Sequence, residues 1–342
     1  MNHPIILLMG LPRSGTTWIA KMIDSHPRTM YFHEADRGAN LRNMPIAPDV
    51  ADAERLRPTA EAFLDRLLRA KESHVVGSRP HFRKEYRSGL YEALFETNVA
   101  FSKTASMLGV NCPIFPFVDL GKVHGLHIAW KSVISTGRLG VFVRILENPR
   151  AILLLRHPCG HVASMLRGEA QGNFAYPPSE DYGLFEMLLS TRQARDHGLT
   201  MKHLKAARPI ERLTWRWVVA YEKALQDIEG IDGCTSLRYE DICHEPQRYA
   251  RQMLDFCGLD WNPSTARFIE SSTSSETDKY YGLFKNPLKS AMRWKVDLSE
   301  EDVESIYRIV RHSDLARIYA SEDELGQECD RGAVATGRAQ RA

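Results

Sequence analysis

Short continuous runs of apolar residues recur along the chain, separated by stretches with helical spacing. The runs Ile5–Met9 and Ala151–Leu155 are unbroken, which is typical of strands buried on both faces of a parallel sheet. Shorter runs at 127–130 and 235–239 indicate two more strands. Because parallel strands need crossover connections, which are usually helical, the pattern predicts an α/β fold.

Apolar residues three and four positions apart indicate the helices. Helices are predicted for residues 17–25, 60–70, 90–108, 160–167, 210–228, 246–257 and 300–310. Since these segments lie between and after the strands, we expect a three-layer sandwich in which helices flank a central parallel sheet.

Chain length and composition indicate one large domain. With 342 residues, of which 43% are hydrophobic, the chain can bury a substantial core. Residues 1–320 are expected to form a single domain, and the polar segment 321–342 a disordered tail. The stretch 35–125 is irregular and rich in proline, which favours a lid or an acceptor-binding insertion over core.

Charge and cysteine content exclude several classes of protein. The net charge of +2 does not suggest a nucleic-acid partner. The six cysteines form no C-x-x-C pair and have no zinc-ligand spacing, so we expect reduced thiols, a cytoplasmic location and no metal. The apolar run at Pro4–Met9 is far shorter than the roughly 20 residues that cross a bilayer, so no integral membrane segment is expected.

A glycine-rich loop joins the first strand to the first predicted helix. Its sequence, Gly10 to Thr17, has the glycine spacing of the P-loop pattern G-x-x-x-x-G-K-[ST]. Thr16 stands where that pattern has the lysine that reaches the β- and γ-phosphates of ATP or GTP. Backbone N–H groups at a helix start still bind a phosphate, and Arg13 adds a positive charge. The loop therefore predicts an anion site of a different kind.

The loop and a second motif resemble the cofactor sites of sulfotransferases that use 3′-phosphoadenosine-5′-phosphosulfate (PAPS). The segment that resembles their 5′-phosphosulfate loop consists of Pro12, Arg13, Ser14, Gly15, Thr16, Thr17 and Trp18. The segment Leu153–Pro158 resembles the strand end that carries their 3′-phosphate site. Arg156 there, with Ser164 eight positions later, has the family's spacing. A guanidinium and a hydroxyl near a helix start could clamp one phosphate.

The resemblance implies a P-loop-type sandwich, PAPS as co-substrate and no metal. Tyr239 matches a tyrosine near the adenine, and Trp18 an aromatic that can stack on it. Lys285 and Arg293 fall in a segment similar to the basic loop that closes over the cofactor. The resemblance runs from residue 4 to about 310 and is thin between about 38 and 125.

Glu34 and His33 are the candidate bases for removing the acceptor proton. In the carbohydrate and tyrosyl-protein branches, a glutamate about 21 positions after the loop arginine is the base, and Glu34 lies at that distance from Arg13. We expect residues 30–32 to form a strand beside the first one, which would bring Glu34 to the loop. Lys131 resembles a strand-end lysine that contacts the transferring group.

The glutamate favours a carbohydrate or glycolipid hydroxyl as acceptor. Alternatives are a protein tyrosine, a small-molecule hydroxyl, a P-loop kinase or nucleotide-binding module, and a non-catalytic PAPS-binding protein. The sequence does not indicate which oligomeric state the protein adopts. Aromatic residues that could line a sugar site are Phe82, Tyr86, Phe115, Phe117, Phe174 and Tyr176.

Overall fold

A five-stranded parallel sheet forms the centre of the computed structural model, which describes residues 3–37, 41, 43–67, 69–118, 123–274, 282–284 and 286–319. The strands are β1 Ile5–Met9, β2 Thr29–His33, β3 His127–Ser132, β4 Arg150–Leu155 and β5 Cys234–Arg238. The helices are α1 Thr16–Asp24, α2 Ala53–Leu67, α3 Gly89–Met107, α4 Leu139–Ile145, α5 Pro158–Ala170, α6 Tyr182–Leu189, α7 Arg192–Asp196, α8 Met201–Ala206, α9 Pro209–Ile228, α10 Tyr239–His244, α11 Pro246–Phe256, α12 Pro263–Thr273, α13 Pro287–Met292, α14 Trp294–Asp297 and α15 Glu300–Val310.

The strand order is β2-β3-β1-β4-β5. The expectation that β2 lies beside the first strand is wrong, because β3 pairs with both β1 and β2. All six residues of β3 are buried, whereas Met30 and His33 of β2 are only half-buried, which fits β3 in an inner position and β2 at the edge of the sheet. The later strands lie on both sides of β1, with β3 and β2 on one side and β4 and β5 on the other. Where the strand order reverses in this way, a crevice forms at the carboxyl ends of the strands.

Apolar side chains cover both faces of the sheet, which confirms the α/β sandwich. Side chains alternate along β1, so Leu7 packs into one core and Leu8 into the other. The first core lies under α2, α4, α9 and α15, and the second under α1, α11 and α12. The loop after β1 therefore lies at the edge of a sheet that is covered by helices on both faces.

The predicted insertion contributes to the first core through α2. Phe63 lies 4.9 Å from Trp130 and 6.0 Å from Phe142 between ring centroids. Pro58 lies inside this helix, which begins earlier than the spacing at 60–70 indicated. The lid or acceptor role of 35–125 stays a prediction, and the proposed tail at 321–342 lies outside the described residues.

None of the helices in the described part of the chain combines the length and apolar character needed to cross a membrane. The five described cysteines form no disulfide bond with one another. No cluster of histidine, cysteine or acidic residues within the described ranges could hold a metal ion.

Candidate active site

A cavity of about 1490 Å³ opens at the carboxyl ends of the strands. The predicted site residues that line it are Pro12, Arg13, Gly15, Thr16, Thr17, Trp18, His33, Glu34, Lys131, Arg156, Ser164, Tyr239 and Arg293. Ser14 does not line this cavity, and Lys285 lies outside the described residues. Residues from opposite ends of the sequence therefore meet in one space.

The loop after β1 turns sharply into α1. Gly15 precedes the helix with a φ of 82°, in the left-handed region that glycine tolerates best. A Cβ atom at this position would lie 2.3 Å from a ring carbon of Tyr239, so only glycine fits against that ring. The first N–H groups of α1 have no partner within the helix, and they begin at Thr16 in the cavity wall. The loop can therefore present donors to an anion.

Ser14 stabilises the loop on the side that faces away from the cavity. Its hydroxyl is fully buried and lies 2.7 Å from the hydroxyl of Tyr221. The same tyrosine oxygen accepts a hydrogen bond from the N–H of Leu11 at 3.2 Å and donates to the carbonyl of Leu154 at 2.9 Å. The Ser14 N–H donates to the carbonyl of Leu11 at 3.2 Å. The motif serine thus ties the loop to β4 and α9, and its side chain does not face the cavity.

Arg13 and Arg156 bring two guanidinium groups together beside α5. The Nε of Arg13 donates to the hydroxyl of Ser164 at 3.3 Å. Arg156 donates to the carbonyl of Arg13 and, at 3.1 Å, to the carbonyl of Ser290. Its buried Nε has no hydrogen-bond partner among the described residues. Because Arg13, Arg156 and Ser164 all line the cavity and Arg156 keeps an unsatisfied donor, these residues fit the 3′-phosphate of PAPS.

Aromatic rings form the wall next to the phosphate loop. Trp18 donates a hydrogen bond from its indole nitrogen to Ser272 at 3.0 Å and meets Tyr239 edge-on at 6.4 Å. Arg293 ion-pairs with Asp297 at 3.6 Å, in the segment that the bond from Arg156 anchors. Arg156 contacts both features, because its guanidinium carbon lies 5.1 Å from the Tyr239 ring centroid and the group donates to Ser290 in the basic segment.

Glu34 and Lys131 form an ion pair where β2 and β3 end. The register aligns His33 with Lys131, so Glu34 turns inward directly after the strand. Glu34 has a φ of 44°, and its N–H donates to the carbonyl of Lys131 at 2.8 Å. The Lys131 ammonium contacts one carboxylate oxygen, and Arg37 lies 3.5 Å from the other. Both side chains are at least nine-tenths buried.

Burial and pairing act in opposite directions on these two groups. Burial raises the pKa of the Glu34 carboxyl, but the charge and hydrogen bond of Lys131 outweigh it, so this pKa lies below its usual value. Burial also lowers the pKa of Lys131, and Glu34 offsets part of that decrease. At neutral pH the carboxylate is therefore ionised and held by its cation.

His33 faces the same cavity as a neutral imidazole. Its Nδ1 lies 2.9 Å from the hydroxyl of Tyr31, and its Nε2 lies 3.7 Å from Glu34. Burial, reinforced by the charge of Lys131, lowers the pKa of His33 to about 3. The imidazole has a free electron pair for a proton, but its basicity is low.

Several cavity residues were not identified from the sequence. The basic ones are Arg37, Arg167, Arg216 and Lys289. Arg37 follows Glu34 by three positions, a spacing that could have suggested the pair. The other three lie on helices, and the sequence alone does not show which side of each helix faces the cavity. Together with the predicted cations, they make the cavity strongly basic in a chain whose net charge is only +2.

Comparison with known proteins identifies the family. The model of the sulfotransferase family matches residues 4–197, which include the loop, Glu34, Lys131 and Arg156. No curated protein matches the chain.

Solved structures with similar folds include three sulfotransferases. A mouse sulfotransferase complexed with PAP is 12% identical over 93% of this chain and 88% of its own, with a TM-score of 0.44. One from Mycobacterium avium is 14% identical over 91% and 77%, with a TM-score of 0.40. The sulfotransferase domain of a Synechococcus olefin synthase is 14% identical over 90% and 94%, with a TM-score of 0.41. Since the family match spans more than half of the sequence, the chain belongs to the sulfotransferase family and is a PAPS-dependent sulfotransferase.

Proposed function

We propose that this enzyme sulfates a hydroxyl of a carbohydrate or glycolipid, with Glu34 as the general base. The observation that carries the proposal is the Glu34–Lys131 pair, which lies in the wall of the same cavity as the phosphate loop. A base and a cation in contact, facing a donor site, are the groups that sulfuryl transfer to a hydroxyl requires.

Glu34 accepts the proton of the acceptor hydroxyl. In the reaction the acceptor oxygen forms a bond to sulfur, the sulfur–oxygen bond to the 5′-phosphate breaks, and PAP leaves with the electron pair. Lys131 and Arg13 stabilise the negative charge on the sulfuryl and bridging oxygens. When Lys131 turns to that charge, its interaction with Glu34 weakens, and burial then raises the pKa of the carboxyl. Glu34 therefore becomes a stronger base at the stage when the acceptor hydroxyl loses its proton.

Phe174 and Tyr176 support a sugar acceptor. Both line the cavity, and the side chain of Tyr176 is 66% exposed, which leaves an aromatic face for the apolar side of a sugar ring. The other four aromatic candidates, Phe82, Tyr86, Phe115 and Phe117, do not line it.

The acceptor class is tested by supplying ³⁵S-labelled PAPS with three kinds of acceptor. These are p-nitrophenyl glycosides blocked at the anomeric position, a tyrosine-containing peptide and 2-naphthol. We expect kcat/KM for the best glycoside to exceed those for the other two by at least about tenfold, the range that differential transition-state binding supplies. Preferential labelling of the peptide or of naphthol would overturn the carbohydrate assignment and leave the base assignment intact.

Arg156 is proposed to bind the 3′-phosphate. Replacing Arg156 with Ala should weaken PAP binding by about 10- to 100-fold, because hydrogen bonds to a charged group are lost. Binding of adenosine 5′-phosphate, which lacks the 3′-phosphate, should change by less than about threefold on the same scale. Calorimetry with both nucleotides measures the difference.

Arg150 provides the matched control for this experiment. It begins the same strand at the opposite end and does not line the cavity. Arg150→Ala should leave both affinities unchanged. An equal loss of both nucleotides in Arg156→Ala would show that Arg156 supports the loop through the Arg13 carbonyl rather than the 3′-phosphate.

A further inference from the structure

Arg216 is a cavity cation that the donor site does not account for. It lies on α9, it is half-buried, and it lines the cavity. Among the described residues, no hydrogen-bond acceptor or carboxylate lies within bonding distance of it. A guanidinium that faces a cavity and has no direct partner has its donors available to an anionic ligand.

The other cations of the cavity wall differ from Arg216 in this respect. Lys131 and Arg37 contact Glu34, and Arg13 contacts Ser164. Arg156 donates to two carbonyls, and Arg167 and Arg293 both pair with Asp297. Lys289 has no side-chain partner among the described residues, but it is exposed, so water solvates it. Among the described cations of the cavity wall, Arg216 is thus the half-buried one that is left for an anion.

The two nearest carboxylates are engaged elsewhere. Asp181 accepts a hydrogen bond from the N–H of Leu184 at 3.0 Å and so caps α6. Glu169 accepts from the N–H and the hydroxyl of Ser179 at 2.6 and 3.0 Å. Burial lowers the pKa of Arg216 to about 10, and the two carboxylates offset part of that decrease. The guanidinium therefore keeps its charge at neutral pH and its donors remain available.

The position of Arg216 relates it to the acceptor end of the cavity. Its electrostatic neighbours Glu169 and Asp181 bracket the wall segment that carries Phe174 and Tyr176. Arg216 is also near His161, one turn before Ser164 on α5. The cation therefore lies near both α5 and the segment that carries the aromatic acceptor wall.

We propose that Arg216 binds an oxyanion of the acceptor, so that the substrate is an acidic carbohydrate carrying a carboxylate, a phosphate or a sulfate ester. This inference rests on the proposed carbohydrate acceptor. The planar guanidinium pairs with such groups through two parallel hydrogen bonds, which would also fix the orientation of the sugar. The anion stays on the acceptor throughout, while a separate hydroxyl receives the sulfuryl group.

Binding to the PAP-saturated enzyme tests this inference without requiring turnover. The probes are p-nitrophenyl β-D-glucoside, its 6-phosphate and the corresponding glucuronide, measured by calorimetry on the full chain. We expect at least one charged glycoside to bind at least about tenfold more tightly than the neutral glucoside. The phosphate and glucuronide arms distinguish the two kinds of oxyanion. Equal binding of all three, including no measurable binding, would overturn the proposal.

Arg216→Gln and Arg216→Lys separate recognition from structure. The Gln variant should abolish the preference for the charged glycoside, while the Lys variant should keep part of it because one charge remains. Affinity for PAP and the melting temperature should stay unchanged in both variants. A tenfold loss of PAP affinity would instead assign Arg216 to the donor site. Failure of the carbohydrate assignment would look different, because ³⁵S-labelled PAPS would then label the tyrosine peptide or 2-naphthol in preference to any glycoside, charged or neutral.

Discussion

Replacing Glu34 with Gln is expected to lower kcat by about 10²- to 10⁴-fold, the range over which a general base contributes. The amide can still accept a hydrogen bond from Lys131, so the end of β2 should keep its conformation. It cannot take the acceptor proton. Because Glu34 and the nucleotide-binding residues occupy different parts of the wall, the Kd for PAP should stay within about threefold.

Sulfuryl transfer from ³⁵S-labelled PAPS measures kcat, and calorimetry with PAP measures the nucleotide site. His33→Gln is the matched control, since His33 precedes Glu34, faces the same cavity and is the alternative base. It should lower kcat by less than about tenfold. If His33→Gln abolishes sulfation while Glu34→Gln retains it, the imidazole is the base. Full activity in both variants would remove both residues from the proton transfer.

The sequence predicted the part of the site that local geometry determines. A continuous apolar strand, a loop with Gly15 and a following helix form a phosphate cradle with few alternatives. Arg156 and Ser164 were identified through their resemblance to the family's 3′-phosphate motif, whose spacing a strand end and the next helix preserve through local structure. These residues all line one cavity in the structure, as the motifs indicated.

The parts that the sequence did not predict depend on long-range packing. The strand order is decided by which apolar strand fits the centre of the sheet, and β3 was not distinguishable from β2 on that basis. The ion pair of Glu34 with Lys131 follows from that order, since the two residues are 97 positions apart. Arg216 lies on a helix with aromatic and charged residues on several faces, so only the packing of α9 against the sheet and α5 selects the side that meets the cavity. Ser14 fits the motif, but the hydroxyl of Tyr221 draws its side chain inward.

Replacing Lys131 with Met is expected to lower kcat by about 10²- to 10³-fold, the loss that follows removal of one preorganised donor from a charged transition state. The same change should move the acid limb of the pH–rate profile to higher pH. In the native protein Lys131 lowers the pKa of Glu34 against the effect of burial. Without the ammonium, burial dominates and the pKa of Glu34 rises, so the base is protonated and inactive over a wider acid range.

Stability provides a second test of this pair. The lowered pKa of Glu34 means that the pair stabilises the fold above the unfolded carboxyl pKa, and that this contribution is lost as pH falls through the folded value. Lys131→Met removes the buried partner of the Glu34 carboxylate and leaves beside it the mostly exposed Arg37, which should cost about 3 kcal/mol near neutral pH and less at low pH. Urea unfolding of this variant and of Lys131→Met with Glu34→Gln distinguishes the two effects of the lysine.

The double variant should recover most of the lost stability, because no buried charge remains unpaired, yet it should stay as inactive as Glu34→Gln alone. Arg37 lies on the other side of the carboxylate and is mostly exposed, so Arg37→Met should change both stability and pH profile only slightly. If Lys131→Met leaves the acid limb in place, Glu34 is not the titrating base. If it leaves kcat in place as well, the lysine serves only to hold β2 against β3, and the charge at the transferring group must be supplied by Arg13.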